Sequence, residues 1–271
     1  MKKISRRSFL AAAGLSVAAL ALTACGGSAS SVASSAAAST SAAAGELTTV
    51  EAGKLTMATN AAFPPYEMTT DAGEFEGIDL ETAQAIADKL GLELQIDDMD
   101  FDAALLSVQQ GKADIVMAGV TVTDERKAVM DFSDSYATGI QSIIVPEGSD
   151  IASPDDLAGK KIGTQRGTTG YIYCSDDFGD DNVVAYDDGL TAVQALNNGQ
   201  VDAVVIDNAP AKEFVAANPG LVILDTSYAE EDYAIGMAKG SSLEDAVNAA
   251  LEELKADGTL QSIVDKYITA E

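Results

Sequence analysis

Two charged residues, Arg126 and Asp207, follow apolar runs that have the pattern of buried strands, and each could pair with a group of opposite charge. The guanidinium of Arg126 is a planar fork of donors that fits a carboxylate. Asp207 directly follows the apolar run 203–206, and its carboxylate could receive an ammonium group. Each residue also has an ordinary alternative: Arg126 could be a solvated cation on a helix capped by Thr123, and Asp207 could cap the next helix.

Other polar and aromatic side chains could complete such a site. Thr121 offers a hydroxyl and a backbone N–H five residues before Arg126. The turn 163–170 could cradle an anion with its N–H groups and hydroxyls, although it lacks the Gly-Lys-Ser/Thr ending of a Walker A loop. Phe63 and Phe101 could enclose the apolar stem of a small ligand, or they could belong to the core.

Catalysis has little support in the residue types available. The sequence contains no histidine, and Cys174 is followed by Ser-Asp-Asp, an acidic context that raises the pKa of its thiol. A carboxylic acid could still act, and Glu67 is the best-placed candidate. We therefore predict a binding protein and not an enzyme, with no cofactor and no metal site.

Short β-rich runs at 55–59, 92–96 and 115–118 alternate with helical patterns, which indicates α/β layers. The clearest helix has apolar residues with a period of 3.6 from position 80 to position 90. Asp79 is its predicted N-cap, and Gly91 is the predicted end.

The segment 108–119 reappears loosely as 196–207, and both read as a helix end, a glycine, an acidic residue and an apolar strand. Two copies are too few for a solenoid, whereas two similar α/β lobes fit, unless the connection arose twice independently. Ligands of open α/β sheets lie beyond the carboxyl ends of strands. Gly119 and Asp207 would then face one cleft.

The first residues have the pattern of an export signal: a basic start, an apolar run at 9–22 that is short for a membrane span, and then Leu-Thr-Ala before Cys25. The stretch resembles a bacterial lipobox, in which Cys25 would carry lipid. Residues 5–10 resemble a twin-arginine export motif, with a generic basic region as the alternative. We predict a signal peptide at 1–24 and a lipidated cysteine with a Ser/Ala/Gly tether at 25–50. The mature protein would lie outside the cytoplasm, anchored to the cell membrane by lipid on Cys25.

The chain is strongly acidic, with a net charge of −27, and the predicted signal peptide contains four of its positive charges and no acidic residue. The mature chain is therefore more acidic still. This charge excludes nucleic acid as a partner.

Taken together, these segments resemble the amino-acid-binding family (family 3) of bacterial ABC-transporter extracellular solute-binding lipoproteins. Five ordered segments carry the resemblance: 60–67, 77–91, 101–136, 165–170 and 201–207. The resemblance implies an α/β, two-lobed periplasmic-binding-protein-like fold (type II), hinged by two crossing strands near 137–141 and 229–233. Lobe 1 would comprise 51–138 plus 232–271, and lobe 2 would comprise 139–231.

The resemblance also implies a set of ligand-binding residues. In it, Arg126 pairs with the α-carboxylate, helped by Thr121 and Thr169, while Asp207 and the Gly119 carbonyl take the α-ammonium group. The full implied set is Asn60, Phe63, Phe101, Ala118, Gly119, Thr121, Arg126, Gln165, Thr168, Thr169 and Asp207.

Asn60 bears on the choice of ligand, because family members that bind basic amino acids commonly carry an acid there. A neutral amide would leave a buried ligand cation unpaired, at a cost of about 3 to 5 kcal/mol, unless Glu67 or an acid within 98–102 substitutes. We therefore expect a polar, uncharged amino acid, which the amide of Gln165 also favours, with a basic amino acid as the alternative.

The function implied is that of a monomeric solute-binding protein of an ABC importer, which captures a free amino acid and delivers it to a membrane permease. The alternatives are an amino-acid-sensing ectodomain and a dehydratase-like enzyme on the same fold.

Overall fold

The computed structural model describes residues 47–268, which form a five-stranded and a six-stranded β-sheet flanked by helices, together with a small three-stranded sheet. The strands are β1 Lys54–Thr59, β2 Ala62–Phe63, β3 Glu67–Thr69, β4 Phe75–Glu76, β5 Glu93–Asp98, β6 Ile115–Val116, β7 Met130–Phe132, β8 Ala137–Pro146, β9 Ile162–Gln165, β10 Val183–Tyr186, β11 Ala203–Asp207, β12 Leu221–Ile223, β13 Ala229–Tyr233 and β14 Gly236–Ala238. The helices are α1 Ile78–Leu90, α2 Phe101–Gln109, α3 Asp124–Lys127, α4 Thr169–Phe178, α5 Gly189–Asn197, α6 Asn208–Ala217, α7 Glu244–Ala256 and α8 Thr259–Tyr267. Short 3-10 helices occur at Pro154–Leu157 and Asp180–Asn182.

The predicted signal peptide, Cys25 and most of the tether lie outside the described residues. Within 47–268, none of the helices has the length and apolar character needed to cross a membrane.

The first sheet has the strand order β5-β1-β6-β14-β7, and helices cover both of its faces. β1 pairs in parallel with β5 and β6, whereas β14 runs antiparallel between β6 and β7. Leu55 and Met57 of β1 belong to the core formed with α1, α7 and α8, while Ala58 belongs to the core against α2. A strand alternates its side chains between two faces, so burial on both faces explains why 55–59 contains no charged residue.

The second sheet has the order β10-β9-β11-β8-β12, and β13 pairs with the first half of β8. Val204 and Ile206 of β11 pack in the core that contains α5 and α6. The alternate residues Ala203 and Val205 pack with Cys174 of α4 on the opposite face. This sheet therefore repeats the three-layer arrangement of the first.

The chain passes between the two sheets along β8 and β13, which pair antiparallel from Ala137↔Tyr233 to Gln141↔Ala229. β8 follows β7 of the first sheet, and β13 leads back to β14 of the same sheet. The architecture is the type II, two-lobed fold with a two-stranded hinge, as the sequence predicted. The predicted lobe limits at 138/139 and 231/232 fall inside this strand pair.

The predicted α1 is present with its apolar stripe buried, and Gly91 ends it in the left-handed conformation. The prediction that Asp79 is its N-cap is wrong, because Gly77 holds that position with φ 137°. A side chain at Gly77 would overlap the backbone of Tyr66. The carboxylate of Asp79 is buried instead, and it accepts hydrogen bonds from Gly119 N (3.0 Å) and the Tyr136 hydroxyl (2.8 Å).

The two copies of the repeated sequence fold alike. Asp114 accepts hydrogen bonds from Thr56 N of β1 (2.8 Å) and from Val50 N (2.7 Å). Asp202 accepts one from Lys161 N (2.7 Å), the residue before β9. In both lobes the acidic residue thus binds the start of a neighbouring strand, and the strand that follows the acid leads to the cleft.

Candidate functional site

A small cavity lies between the two lobes. Its lining comprises Asn60, Phe63, Glu67, Phe101, Ala118, Gly119, Thr121, Arg126, Gln165, Thr168, Thr169 and Asp207. The structure therefore brings all eleven residues of the predicted set together, and it adds Glu67.

Several of these residues stand where strands end. Asn60 follows β1, Ala118 lies just beyond β6, Gln165 is the last residue of β9, and Asp207 is the last residue of β11. The carboxyl ends of these strands, from both sheets, thus face one cleft. This is where ligands of open α/β sheets bind.

Arg126 is buried, with only 8% of its surface exposed, although it belongs to the four-residue helix α3. Thr123 caps that helix, as the ordinary alternative proposed, but the guanidinium turns inward. Its Nη1 donates to the Thr121 carbonyl (2.8 Å), its Nη2 donates to the Gly167 carbonyl (3.2 Å), and it lies 5.4 Å from the centre of the Phe101 ring.

Burial lowers the pKa of Arg126 below its usual value. Within the described part of the chain, no carboxylate forms an ion pair with Arg126. A buried cation without a direct ion pair is costly, even with the negative charges of Glu231 and Asp207 nearby, so this position favours an anionic group in the cavity.

Asp207 occupies the N-cap position of α6, yet its side chain makes no capping hydrogen bond. Its Oδ2 accepts from Gln141 Nε2 (2.8 Å), and its Oδ1 accepts from the Tyr233 hydroxyl. Burial raises the pKa of Asp207 to about 7, although the Tyr233 hydrogen bond opposes the rise, and the nearby charge of Glu231 adds to it. A cation beside Asp207 would favour its ionised form.

Aromatic rings form one wall of the cavity. The Phe63 ring stacks on Tyr66 with 5.9 Å between centres, and Tyr66 meets the Tyr233 ring edge-on at 5.3 Å. Gly119 faces this group with φ 55°, and an added Cβ would lie 2.9 Å from the Phe63 ring. The glycine therefore lets the backbone approach the rings at the cavity wall.

Polar contacts join the lobes around the cavity. Gln165 Nε2 donates to Asn60 Oδ1 (2.8 Å), and the Thr121 and Thr169 hydroxyls are 3.4 Å apart. Thr168 caps α4 by accepting from Tyr171 N (3.2 Å), so this helix begins at the cavity. A helix N-terminus favours an anion nearby.

Glu67 is the lining residue that the predicted set omitted. It is fully buried, its carboxylate oxygens accept no hydrogen bond from the described residues, and a protonated Glu67 is close enough to donate to the carboxylate of Asp79. Burial raises its pKa well above the usual value, and the charge of Asp79 adds to this. The signal was available in the sequence, since a glutamate directly follows the apolar segment 63–66.

Gln141 and Glu231 of the hinge were also missed, and both contact site residues. Glu231 lies within an acidic run, 230–232, that resembles a solvated surface. The available signal is its spacing of two residues from Tyr233, because a strand places positions i and i+2 on the same face.

Cys174 is buried, and burial raises the pKa of its thiol to about 12. From the sequence we expect a raised pKa from the acidic neighbours, whereas burial is the largest cause and the charge of Asp177 is a lesser one. In the described range 47–268, no group of acidic or cysteine side chains is arranged to hold a metal ion.

The family model for bacterial extracellular solute-binding proteins, family 3, matches residues 55–270, and the chain belongs to this family. The predicted family is thereby confirmed. This family comprises bacterial extracellular solute-binding proteins.

The chain is similar both to proteins of known sequence and to solved structures. A probable histidine-binding protein of Neisseria gonorrhoeae is 34% identical over 268 residues, which cover 96% of this chain and 95% of the relative. Among solved structures, an ancestral arginine-binding protein bound to arginine is 42% identical with a TM-score of 0.76, covering 80% of this chain and 98% of that one. An ancestral arginine-binding protein bound to glutamine is 41% identical with a TM-score of 0.77, covering 80% and 99%.

Proposed function

We propose that the protein captures a free amino acid between its two lobes and delivers it to the permease of an ABC importer. One observation carries the proposal: Arg126 and Asp207, two buried groups of opposite charge, line the same cavity without pairing with each other. An amino acid has a carboxylate and an ammonium group on one carbon, so it complements both.

The ligand carboxylate is assigned to the Arg126 side of the cavity. Thr121 and Thr169 lie there with their hydroxyls 3.4 Å apart, and α4 begins at Thr169. The guanidinium, the hydroxyls and the helix N-terminus all favour an anion. Asp207 and the Gly119 carbonyl are assigned to the ammonium group.

For the ligand side chain, we favour a cation, held between Phe63 and Phe101 and reaching Glu67. Glu67 lines the cavity, its carboxylate oxygens accept no hydrogen bond from the described residues, and it supplies the acid that Asn60 does not. Its raised pKa means that it would lose a proton when a guanidinium or ammonium group enters. The arginine-bound ancestral relative supports this class of ligand.

A polar, uncharged side chain, as the sequence indicated, is the second candidate. The Asn60–Gln165 amide pair at 2.8 Å favours it, since both residues could turn to a ligand amide. The glutamine-bound ancestral relative supports this candidate.

A thermal-shift screen of the amino acids against the mature protein separates these candidates, because a ligand that binds only the folded state raises the unfolding midpoint. We expect the largest rise with L-arginine. If no amino acid raises the midpoint, the proposed function is wrong.

Replacing Glu67 by glutamine tests the side-chain assignment. We expect Glu67→Gln to weaken L-arginine binding by about tenfold or more, because a buried ligand cation loses its counter-charge, and to leave L-glutamine binding nearly unchanged. The matched control is Glu74→Gln, which alters an exposed glutamate nearby. Equal effects of Glu67→Gln on both ligands, measured by calorimetry, would contradict the assignment.

The anchor and the partner belong to the same proposal. The protein would be a monomer whose lobes comprise 51–138 plus 232–271 and 139–231. Lipid on Cys25 and the tether at 25–50 would hold it close to the permease and so raise its effective concentration there. Metabolic labelling with a fatty acid tests the anchor: label on the wild type and none on Cys25→Ser is expected.

Mass spectrometry of the ligand recovered after incubation distinguishes binding from catalysis, since a binding protein returns the amino acid unchanged.

A further inference from the structure

The hinge contains a carboxylate, Glu231, that is linked to the proposed ammonium position through one amide. In the second sheet Gln141 lies opposite Asp207 on β11 and opposite Ala229 on β13. Glu231 is two residues beyond Ala229, so it lies on the same face. The Gln141 Nε2 donates to Asp207 Oδ2 (2.8 Å) and to Glu231 Oε2 (3.0 Å).

Glu231 also reaches the first lobe. Its Oε2 accepts from the Thr121 hydroxyl (3.1 Å), and the carbonyl of Thr121 accepts from Arg126. The side chain is only 6% exposed, and the hydroxyl of Tyr173 also lies close to its carboxylate. Glu231 therefore stands behind the site, in contact with the residues that flank both of its charged ends.

A buried carboxylate so placed makes the site more attractive to cations. The charge of Glu231 raises the pKa of Asp207, and it opposes the lowering of the Arg126 pKa by burial. A single neutral amide that serves two acids does not cancel their charges, so the charge of Glu231 disfavours the ionised form of Asp207. An ammonium group bound at Asp207 would offset that charge.

We propose that Glu231 is a positioning residue for the ligand ammonium group. It holds Gln141 and Thr121 in place, so that Asp207 faces the cavity in a fixed orientation, and its negative charge strengthens the attraction of the ammonium cation. The inference rests on the proposed amino-acid function and extends it to a residue that does not itself touch the ligand.

The test compares a ligand with its des-amino analogue. Calorimetry gives the affinity of each protein for L-arginine and for 5-guanidinopentanoic acid, which lacks only the ammonium group. In Glu231→Gln we expect the preference for L-arginine over the analogue to fall by about tenfold, while the affinity for the analogue stays nearly constant. The matched control is Glu230→Gln, an exposed neighbour on the same strand, which keeps the wild-type preference.

A double-mutant cycle adds a second readout. In an Asp207→Asn background, Glu231→Gln is expected to cause little further change in the preference, because the two residues act on the same group. If Glu231→Gln does not fold, as judged by circular dichroism, Gln141→Met takes its place and is expected to reduce the preference in the same way.

Two results would overturn the inference. An equal loss of affinity for L-arginine and for the analogue would show that Glu231 only maintains the hinge structure. Wild-type protein that binds no amino acid in the thermal-shift screen would refute the proposed function and this inference together, before any variant is made. If the screen finds L-glutamine instead, the same comparison uses L-glutamine and its des-amino analogue.

Discussion

At the scale of the residue, Arg126 and Asp207 are each only 8% exposed, so solvent screens their charges little. Their burial could not be read from the sequence. Arg126 stands in the charged helix Asp-Glu-Arg-Lys, and Asp207 stands at a helix N-cap position, which are both ordinary surface settings. Their inward orientation depends on partners distant in the chain, such as Gly167 for Arg126 and Tyr233 for Asp207.

The raised pKa of Asp207, about 7, predicts proton release when the ligand binds. Below this pH the free protein holds a proton that must leave before an ammonium group can pair with the carboxylate, so affinity falls as pH falls through about 7. The titratable and charged groups that face Asp207 are Tyr66, Glu67, Arg126, Glu231 and Tyr233.

Calorimetry in buffers of different ionisation enthalpy counts the released protons. We expect up to about one proton from Asp207 at about pH 6 and almost none from it at about pH 8.5. Repeating the experiment in Glu67→Gln removes any proton that comes from Glu67. No release at the lower pH in that variant would show that Asp207 is already ionised in the free protein.

Substituting Gly119 by alanine tests whether the backbone must approach the ring of Phe63 closely. Gly91 is the matched control, because both glycines have a positive φ but only Gly119 would place a Cβ against other atoms. Gly119→Ala should weaken ligand binding by about tenfold or more, since the new methyl group displaces Phe63 from the cavity wall. Gly91→Ala should cost about 1 kcal/mol of stability and leave affinity unchanged. Equal affinities of the two variants, measured by calorimetry, would contradict this account of the wall.

At the scale of the element, local patterns predicted much of the fold. The stripe of α1, the α/β alternation and the loosely repeated segments all depend on neighbours in sequence, and the structure contains each of them. The N-cap of α1 was mispredicted, because the chain places Gly77 against the Tyr66 backbone, and that packing brings together residues from different elements. Glu231 was missed for the same reason, since its partners lie on other strands.

The two repeated acids, Asp114 and Asp202, should differ in their contribution to stability. Asp114 is buried and accepts two backbone hydrogen bonds, whereas Asp202 is exposed and accepts one. We expect Asp114→Ala to lower the free energy of unfolding by about 2 to 4 kcal/mol and Asp202→Ala by about 1 kcal/mol, as measured by urea unfolding. A larger loss for Asp202→Ala would show that burial does not set the difference.

At the scale of the whole molecule, the cavity exists because two similar lobes meet at the carboxyl ends of their sheets. The fold class was predictable, since five ordered segments indicate it together. The contacts that bring the lobes together were not, because pairs such as Gln165–Asn60 join residues far apart in sequence. In the proposed function the choice of ligand depends on these contacts and on Glu67, and the sequence alone, which does not show them, favours an uncharged side chain.

The central claim is that Arg126 binds the carboxylate of an amino acid in this cavity. Calorimetry of Arg126→Ala with the amino acid that gives the largest thermal shift tests the claim most directly. Arg166→Ala is the matched control, because Arg166 lies in the neighbouring turn but is exposed and paired with Asp187 at the surface. We predict a loss of affinity of about a hundredfold or more for Arg126→Ala, since a carboxylate would be buried unpaired, and no more than about a twofold change for Arg166→Ala. A loss of less than about tenfold for Arg126→Ala in a folded protein would contradict the claim.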